Sequence, residues 1–90
     1  AHELDPTNMT FKSNIGAVLF AQKKYDECIE ICEEALEIGY ANRGDLQLKA
    51  RALTRIANCY VRKEEFEKAI EYYNKSLLEK SYSFPNILIF

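Results

Sequence analysis

Four residues in the stretch Lys49 to Arg62, KARALTRIANCYVR, have the chemistry to hold an anion. Arg51, Arg55, Asn58 and Arg62 fall at i, i+4, i+7 and i+11, which puts them on one face if the stretch is helical. Guanidinium groups are planar forks of donors that match carboxylates, and a side-chain amide adds both a donor and an acceptor. The same spacing also occurs on helix faces that are simply wet, which is the common fate of charged side chains. Leu53, Ile56, Ala57 and Tyr60 form an apolar stripe on the same segment. What the basic face does therefore depends on what the rest of the chain places beside it.

Other reactive residues point to packing. Cys28 and Cys32 are one helical turn apart, but a tetrahedral zinc site needs four ligands and the sole histidine, His2, stands at the start of the chain. Three cysteines without a secretory signal read as free thiols in a reducing compartment, so a cytoplasmic setting is expected. Asp26, Glu27, Glu30, Glu33, Glu34 and Glu37 could serve a calcium or partner site. A solvated outer face near a helix N-terminus accounts for them more simply. Tyr40, Tyr72, Tyr73 and Tyr82 read as packing residues with polar tips. There is no Gly-rich phosphate loop, nucleophile motif or histidine base, so neither an enzyme nor a cofactor or metal is expected. A net charge of -2 gives no general pull toward nucleic acid or an anionic membrane, and any anion site must be local. No apolar run approaches the length of a membrane span.

The elements that position the basic face follow from the breaks. Ninety residues with 48% hydrophobic content make one small domain or part of one. Three glycines and two prolines leave long periodic segments, so the fold class expected is all-α. The first helix is expected from about Thr7 or Asn8 to Lys23, with Phe11, Ile15, Val18 and Leu19 apolar, and Lys24 closes a tight turn. The second runs from Tyr25 to about Gly39, with Gly39 as a C-cap. After the break at Asn42 to Asp45, with Asp45 as an N-cap, the third spans about Asp45 to Lys63. Glu64 marks a turn, and the fourth runs from Phe66 to about Lys80, with Phe66, Ala69, Ile70, Tyr73 and Leu77 apolar. Residues 81–90 end the chain as a loop or capping turn.

The chain also repeats itself. YDECIEICEEALE, from Tyr25, aligns with FEKAIEYYNKSLLE, from Phe66, at an offset of 41. At that offset Asn14-Ile15-Gly16 aligns with Arg55-Ile56-Ala57. Ala1 to Pro6 aligns with Ala35 to Tyr40 at an offset of 34. These segments resemble the tetratricopeptide repeat, a 34-residue helix pair with small residues at the helix crossings and a Pro after the second helix. Gly16 and Ala57 take the small position of the first helix, Cys28 and Ala69 that of the second, and Ala35 and Ser76 the last one. Tyr25 and Phe66 would fill the gap beyond, and Pro6 takes the terminal Pro. The resemblance implies an array of antiparallel helix hairpins. Residues 1–6 would end a preceding repeat, 7–40 and 44–80 would form two complete repeats, and the second and third helices would be extended to absorb the longer spacing. The chain opens mid-pattern without Met, as an excised fragment would. About three repeats are the usual minimum for stability, so exposed apolar surface, above all on the first helix, and a homo-oligomer are expected.

First helices of successive pairs line a groove in such arrays. Subtracting 41 from Arg51, Arg55, Asn58 and Arg62 gives Thr10, Asn14, Ala17 and Ala21, a small or polar face that would share that groove. ELDPTNMTFKSN, Asn58 within RIANCY, and YYNKSL further resemble the middle repeat domain of the Hsp70/Hsp90-organising co-chaperones. That family clamps the carboxylates of the C-terminal Glu-Glu-Val-Asp tail of Hsp90, so the resemblance implies an adaptor for the Hsp90 tail, or alternatively that of Hsp70. It implies that Asn14 is the clamp Asn of the second repeat and that Arg51 and Arg55 are the two basic residues of the third. Arg51 stands where the family usually has Lys. Asn58 and Thr10 would line the site further along the peptide. The family's remaining clamp Lys and Asn lie on a preceding helix that is not in these 90 residues. Losing two charge-assisted hydrogen bonds at about 1.5–3 kcal/mol each would weaken a micromolar complex toward the millimolar range. The alternative is a structural interaction module whose basic face is unused.

Overall fold

The computed structural model describes residues 6–41 and 46–82. They form four α-helices: α1 Pro6–Ala21, α2 Tyr25–Ala41, α3 Leu46–Arg62 and α4 Phe66–Tyr82, with no strand among the described residues. The all-α expectation holds, and the expected helix bounds hold to within two residues. Pro6 opens α1 at the position where a missing N–H costs nothing. Asp26 and Glu27 sit in the first turn of α2 and Glu67 in that of α4, where acids favour the exposed N–H groups. The segments 1–5, 42–45 and 83–90, and with them the Asp45 cap and the C-terminal capping turn, lie outside the described residues.

Two turns of identical design make the hairpins. Lys23 and Glu64 are both left-handed, with φ of 63°. Lys24 N–H donates to Leu19 O and Lys23 N–H to Phe20 O, while Glu65 N–H donates to Tyr60 O and Glu64 N–H to Val61 O. Each is the paired 6→1 and 5→2 closure that satisfies the last carbonyls of a helix.

α1 packs on α2, α2 on α3 and α3 on α4, with a lighter contact between α1 and α3. The main core joins Cys28, Ile29, Cys32 and Leu36 of α2 to Ala52, Leu53, Ile56 and Cys59 of α3. Leu53 and Ile56 are its largest fully buried side chains. Each contributes about 1.5–3 kcal/mol by leaving water. A second cluster holds Met9, Ala35 and Ile38, flanked by Leu48. Every small crossing residue named from the repeat, Gly16, Ala57, Cys28, Ala69, Ala35 and Ser76, is buried.

Three expectations are corrected. Gly39 is no C-cap: α2 continues to Ala41, and no glycine among the described residues has positive φ. Gly39 is buried because a Cβ there would lie 2.9 Å from Met9 Cε and 3.0 Å from Lys49 Cγ. The apolar stripe of α1 is not its core face: Met9, Ser13 and Gly16 are buried while Phe11 and Val18 are exposed. Phe66 fills no gap. Tyr25 packs edge-on against Phe20 with ring centroids 5.6 Å apart, whereas its repeat counterpart Phe66 is exposed.

Candidate functional site

α3 turns three faces in different directions. Leu53 and Ala57 go to the core and Ala52, Ile56 and Cys59 toward α2. Arg51, Arg55 and Asn58 line an open cleft of about 230 Å³ together with Ala50 and Thr54. The structure thus brings together three of the five residues expected to bind peptide. Arg51 is exposed, and Arg55 and Asn58 are half-buried. Among the described residues no carboxylate pairs with Arg51 or Arg55, although acids are numerous on α2.

Arg55 is anchored by its stem. A Cβ on Gly16 would lie 3.7 Å from Arg55 Cδ, so the missing side chain of α1 leaves room for the Arg55 methylenes. Its charge also acts on the buried thiols behind it. Burial pushes Cys32 up to about 12 and raises Cys59 as well, and Arg55 partly opposes both shifts. These thiols are core groups: Cys28 donates to Gly16 O at 3.2 Å, and all three cysteines are free and buried. No cluster of metal-ligating side chains occurs among the described residues.

Asn58 is held from behind by Tyr73 of α4, whose hydroxyl donates to Asn58 Oδ1. The amide N–H₂ is then the part of Asn58 left for a ligand, which suits an acceptor such as a carboxylate or peptide carbonyl. Thr54 Oγ1 lies 2.8 Å from Ser76 Oγ, which donates to Ala50 O at 3.1 Å. That pair ties the cleft floor to α4. Sequence reasoning missed Tyr73 as a support because its repeat counterpart, Cys32, is a core thiol.

Thr10 and Asn14 are exposed on α1 and do not line the cleft. Arg62 goes elsewhere, with its guanidinium 5.9 Å from the centroid of the Phe20 ring. A larger cleft, about 450 Å³, opens between α2 and α4. Glu30, Glu33, Glu34 and Glu37 line it, so it repels the acidic ligand that the Arg cleft attracts.

An array of helix hairpins with small crossing residues and a donor-lined face is the architecture of a repeat protein that binds through its surface. The tetratricopeptide repeat pattern matches residues 8–77, and the chain belongs to that family. It is 40% identical over 79 residues to stress-induced-phosphoprotein 1 of Caenorhabditis elegans, a match covering 88% of this chain and 25% of that protein. It is 41% identical over 83 residues to Hsp70-Hsp90 organizing protein 3 of Arabidopsis thaliana, covering 88% of this chain and 15% of that protein. The solved N-terminal domain of stress-induced protein-1 from C. elegans superposes with a TM-score of 0.79 at 39% identity, covering 83% of this chain and 59% of that one. The chain therefore spans a quarter or less of the two full-length relatives.

Proposed function

We propose that this chain is a co-chaperone adaptor domain that binds an acidic C-terminal peptide, of the Met-Glu-Glu-Val-Asp type carried by Hsp90, by a carboxylate clamp. In this reading it corresponds to the middle repeat domain of the Hsp70/Hsp90-organising proteins. The observation that carries the proposal is the cleft in which Arg51 and Arg55 stand without a carboxylate partner among the described residues, in a chain of net charge -2. Two guanidiniums hold side-chain or terminal carboxylates, and the Asn58 amide donates to an acceptor further along. Asn14, two residues from the Gly16 that abuts Arg55, fixes the peptide main chain, with Thr10 beside it. Charge gives register and on-rate, and apolar contacts to the peptide's Val and Met add affinity.

Titration calorimetry with the acidic tail peptide tests this. Arg55→Ala is expected to weaken binding about 10- to 100-fold, the equivalent of one charge-assisted hydrogen bond. Binding by the unmodified chain should weaken as salt rises. Unchanged affinity in Arg55→Ala, or binding indifferent to salt, removes the clamp. Exposed Phe11, Val18, Phe66 and Ile70 favour a second reading, an interaction module that uses apolar faces and leaves the cleft idle.

A further inference from the structure

The 41-residue offset carries packing as well as sequence. Inside the molecule α3 lies on α2 through one buried cluster that includes Ala52, Ile56 and Cys59 on one side and Ile29 and Leu36 on the other, with Tyr25 against its edge. Subtracting 41 takes the α3 set to Phe11, Ile15 and Val18 of α1. Adding 41 takes Tyr25, Ile29 and Leu36 to Phe66, Ile70 and Leu77 of α4. The internal positions are buried, with Ala52 at 1%, Ile56 and Cys59 at 0%, Ile29 at 8% and Leu36 at 6% exposure. Their counterparts are not: Phe11 is 63% exposed, Val18 55%, Phe66 56%, Ile70 58% and Leu77 60%. The same register that is dry at the centre is wet at both ends. α4 carries a copy of the face on which α3 sits, and α1 carries a copy of the face that sits there.

Charge follows the same mapping. Lys63, just after α3, pairs with Asp26 at the start of α2. The offset turns Asp26 into Glu67 and Lys63 into Gln22, which is followed by Lys23 and Lys24. An acid on the α4 end thus faces a basic turn on the α1 end. A two-fold contact of α4 with α4 would instead oppose Glu67 and Glu71 to their own copies.

We propose that the exposed α4 face of one copy receives the exposed α1 face of a second copy, in the geometry of the internal α2–α3 junction. The contact is heterologous. Each copy keeps one free face of each kind, so association does not close at a dimer and grows with concentration. Phe11 and Tyr73 stand where the internal junction has Ala52 and Cys32, so the paired helices sit further apart and the contact is weaker than the internal one.

Sedimentation of the 90-residue chain over a wide concentration range tests the proposal. The average mass is expected to rise smoothly from 10.4 kDa past that of a dimer. Ile70→Glu, which blocks only the α4 face, and Val18→Glu, which blocks only the α1 face, should each be monomeric. Mixed in equal amounts they should form a dimer and nothing larger, because one intact face of each kind remains. Circular dichroism checks that both stay helical, and Phe66→Ser with Phe11→Ser is the milder pair if either does not. A chain that stays monomeric at the highest concentration overturns the proposal. So does Val18→Glu dimerising alone through α4, or a mixture that stays monomeric.

Discussion

Two buried glycines show how much a single atom decides at the residue scale. A Cβ at Gly16 would meet Cys32 Sγ at 2.8 Å. Cys32 is short and fully buried, so it has little room to yield. A Cβ at Gly39 would meet the flexible end of Met9 at 2.9 Å, and Ala in a helix interior is favoured over Gly by about 1 kcal/mol. Gly16→Ala is therefore expected to destabilise by about 1–3 kcal/mol, as overpacking does, and Gly39→Ala to be close to neutral. Urea denaturation of the two variants separates them, and equal losses would contradict the argument. Gly16→Ala should also weaken acidic-peptide binding, since the added carbon crowds the Arg55 stem. At this scale the sequence was partly legible. The periodicity of Arg51, Arg55 and Asn58 placed them on one face, and the cleft contains all three. It placed Arg62 on that face too, yet Arg62 turns to Phe20, because an aromatic ring from a helix distant in sequence offers it a partner. The Tyr73 support of Asn58 could not be read from the chain, since it depends on the crossing of α3 and α4.

At the scale of elements, the hairpins are closed by residues that do not favour the conformation they adopt. Lys23 and Glu64 hold left-handed backbones that cost an L-residue roughly 1–2 kcal/mol and glycine almost nothing. Both side chains are exposed, and neither makes an ion pair among the described residues. Glu64→Gly is expected to raise stability by about 0.5–1 kcal/mol, after subtracting the entropy glycine adds to the unfolded chain. A rise in thermal midpoint checks it, and a fall would mean that the Glu64 side chain has a role the contacts do not reveal. The turns were found in the sequence by the repeat rather than by turn chemistry, for no glycine, asparagine or proline marks them. The end of α2 was misread for the complementary reason. Gly39 looks like punctuation, but its smallness serves the approach of Met9 and Lys49 from neighbouring helices. Which apolar residues of α1 and α4 are buried was likewise beyond a single helix's pattern. Each of those helices has a second apolar face whose partner inside the chain exists only for α2 and α3.

Polar groups also join helices across the whole molecule, and they make its stability sensitive to alkali. Tyr72 of α4 donates to Glu33 of α2 at 3.2 Å. Burial, then the Glu33 charge and that hydrogen bond, push the Tyr72 hydroxyl up to about 12 from 10.0. A folded pKa above the unfolded one means that the folded state binds more protons between the two values, so stability present below pH 10 is lost as pH climbs toward 12. Cys32, raised from 9.0 to about 12, adds a loss of the same sign that begins lower. The urea midpoint should fall steadily above pH 9, and Tyr72→Phe should flatten the upper part of that decline. The second tie is Lys49 of α3, almost wholly buried. Its ammonium lies 3.7 Å from Glu79 of α4 and 4.8 Å from the centroid of the Tyr40 ring of α2. Tyr40 in turn donates to Glu79 at 3.1 Å. One carboxylate thus answers a buried cation and a hydroxyl on two other helices. Glu79→Gln keeps the shape but leaves Lys49 without its counter-charge, at an expected cost of about 2 kcal/mol. Lys49→Met removes the charge and keeps the stem against Gly39, so it is expected to cost little or to stabilise, as apolar replacement of buried ion pairs often does. Because three helices share the cluster, Glu79→Gln should lower the cooperative unfolding midpoint of the chain as a unit rather than fray α4 alone. Hydrogen exchange reads the difference. Protection lost in α2 and α3 as well as α4 supports a shared tie, while loss confined to α4 would reduce the cluster to a local clamp on its last turns.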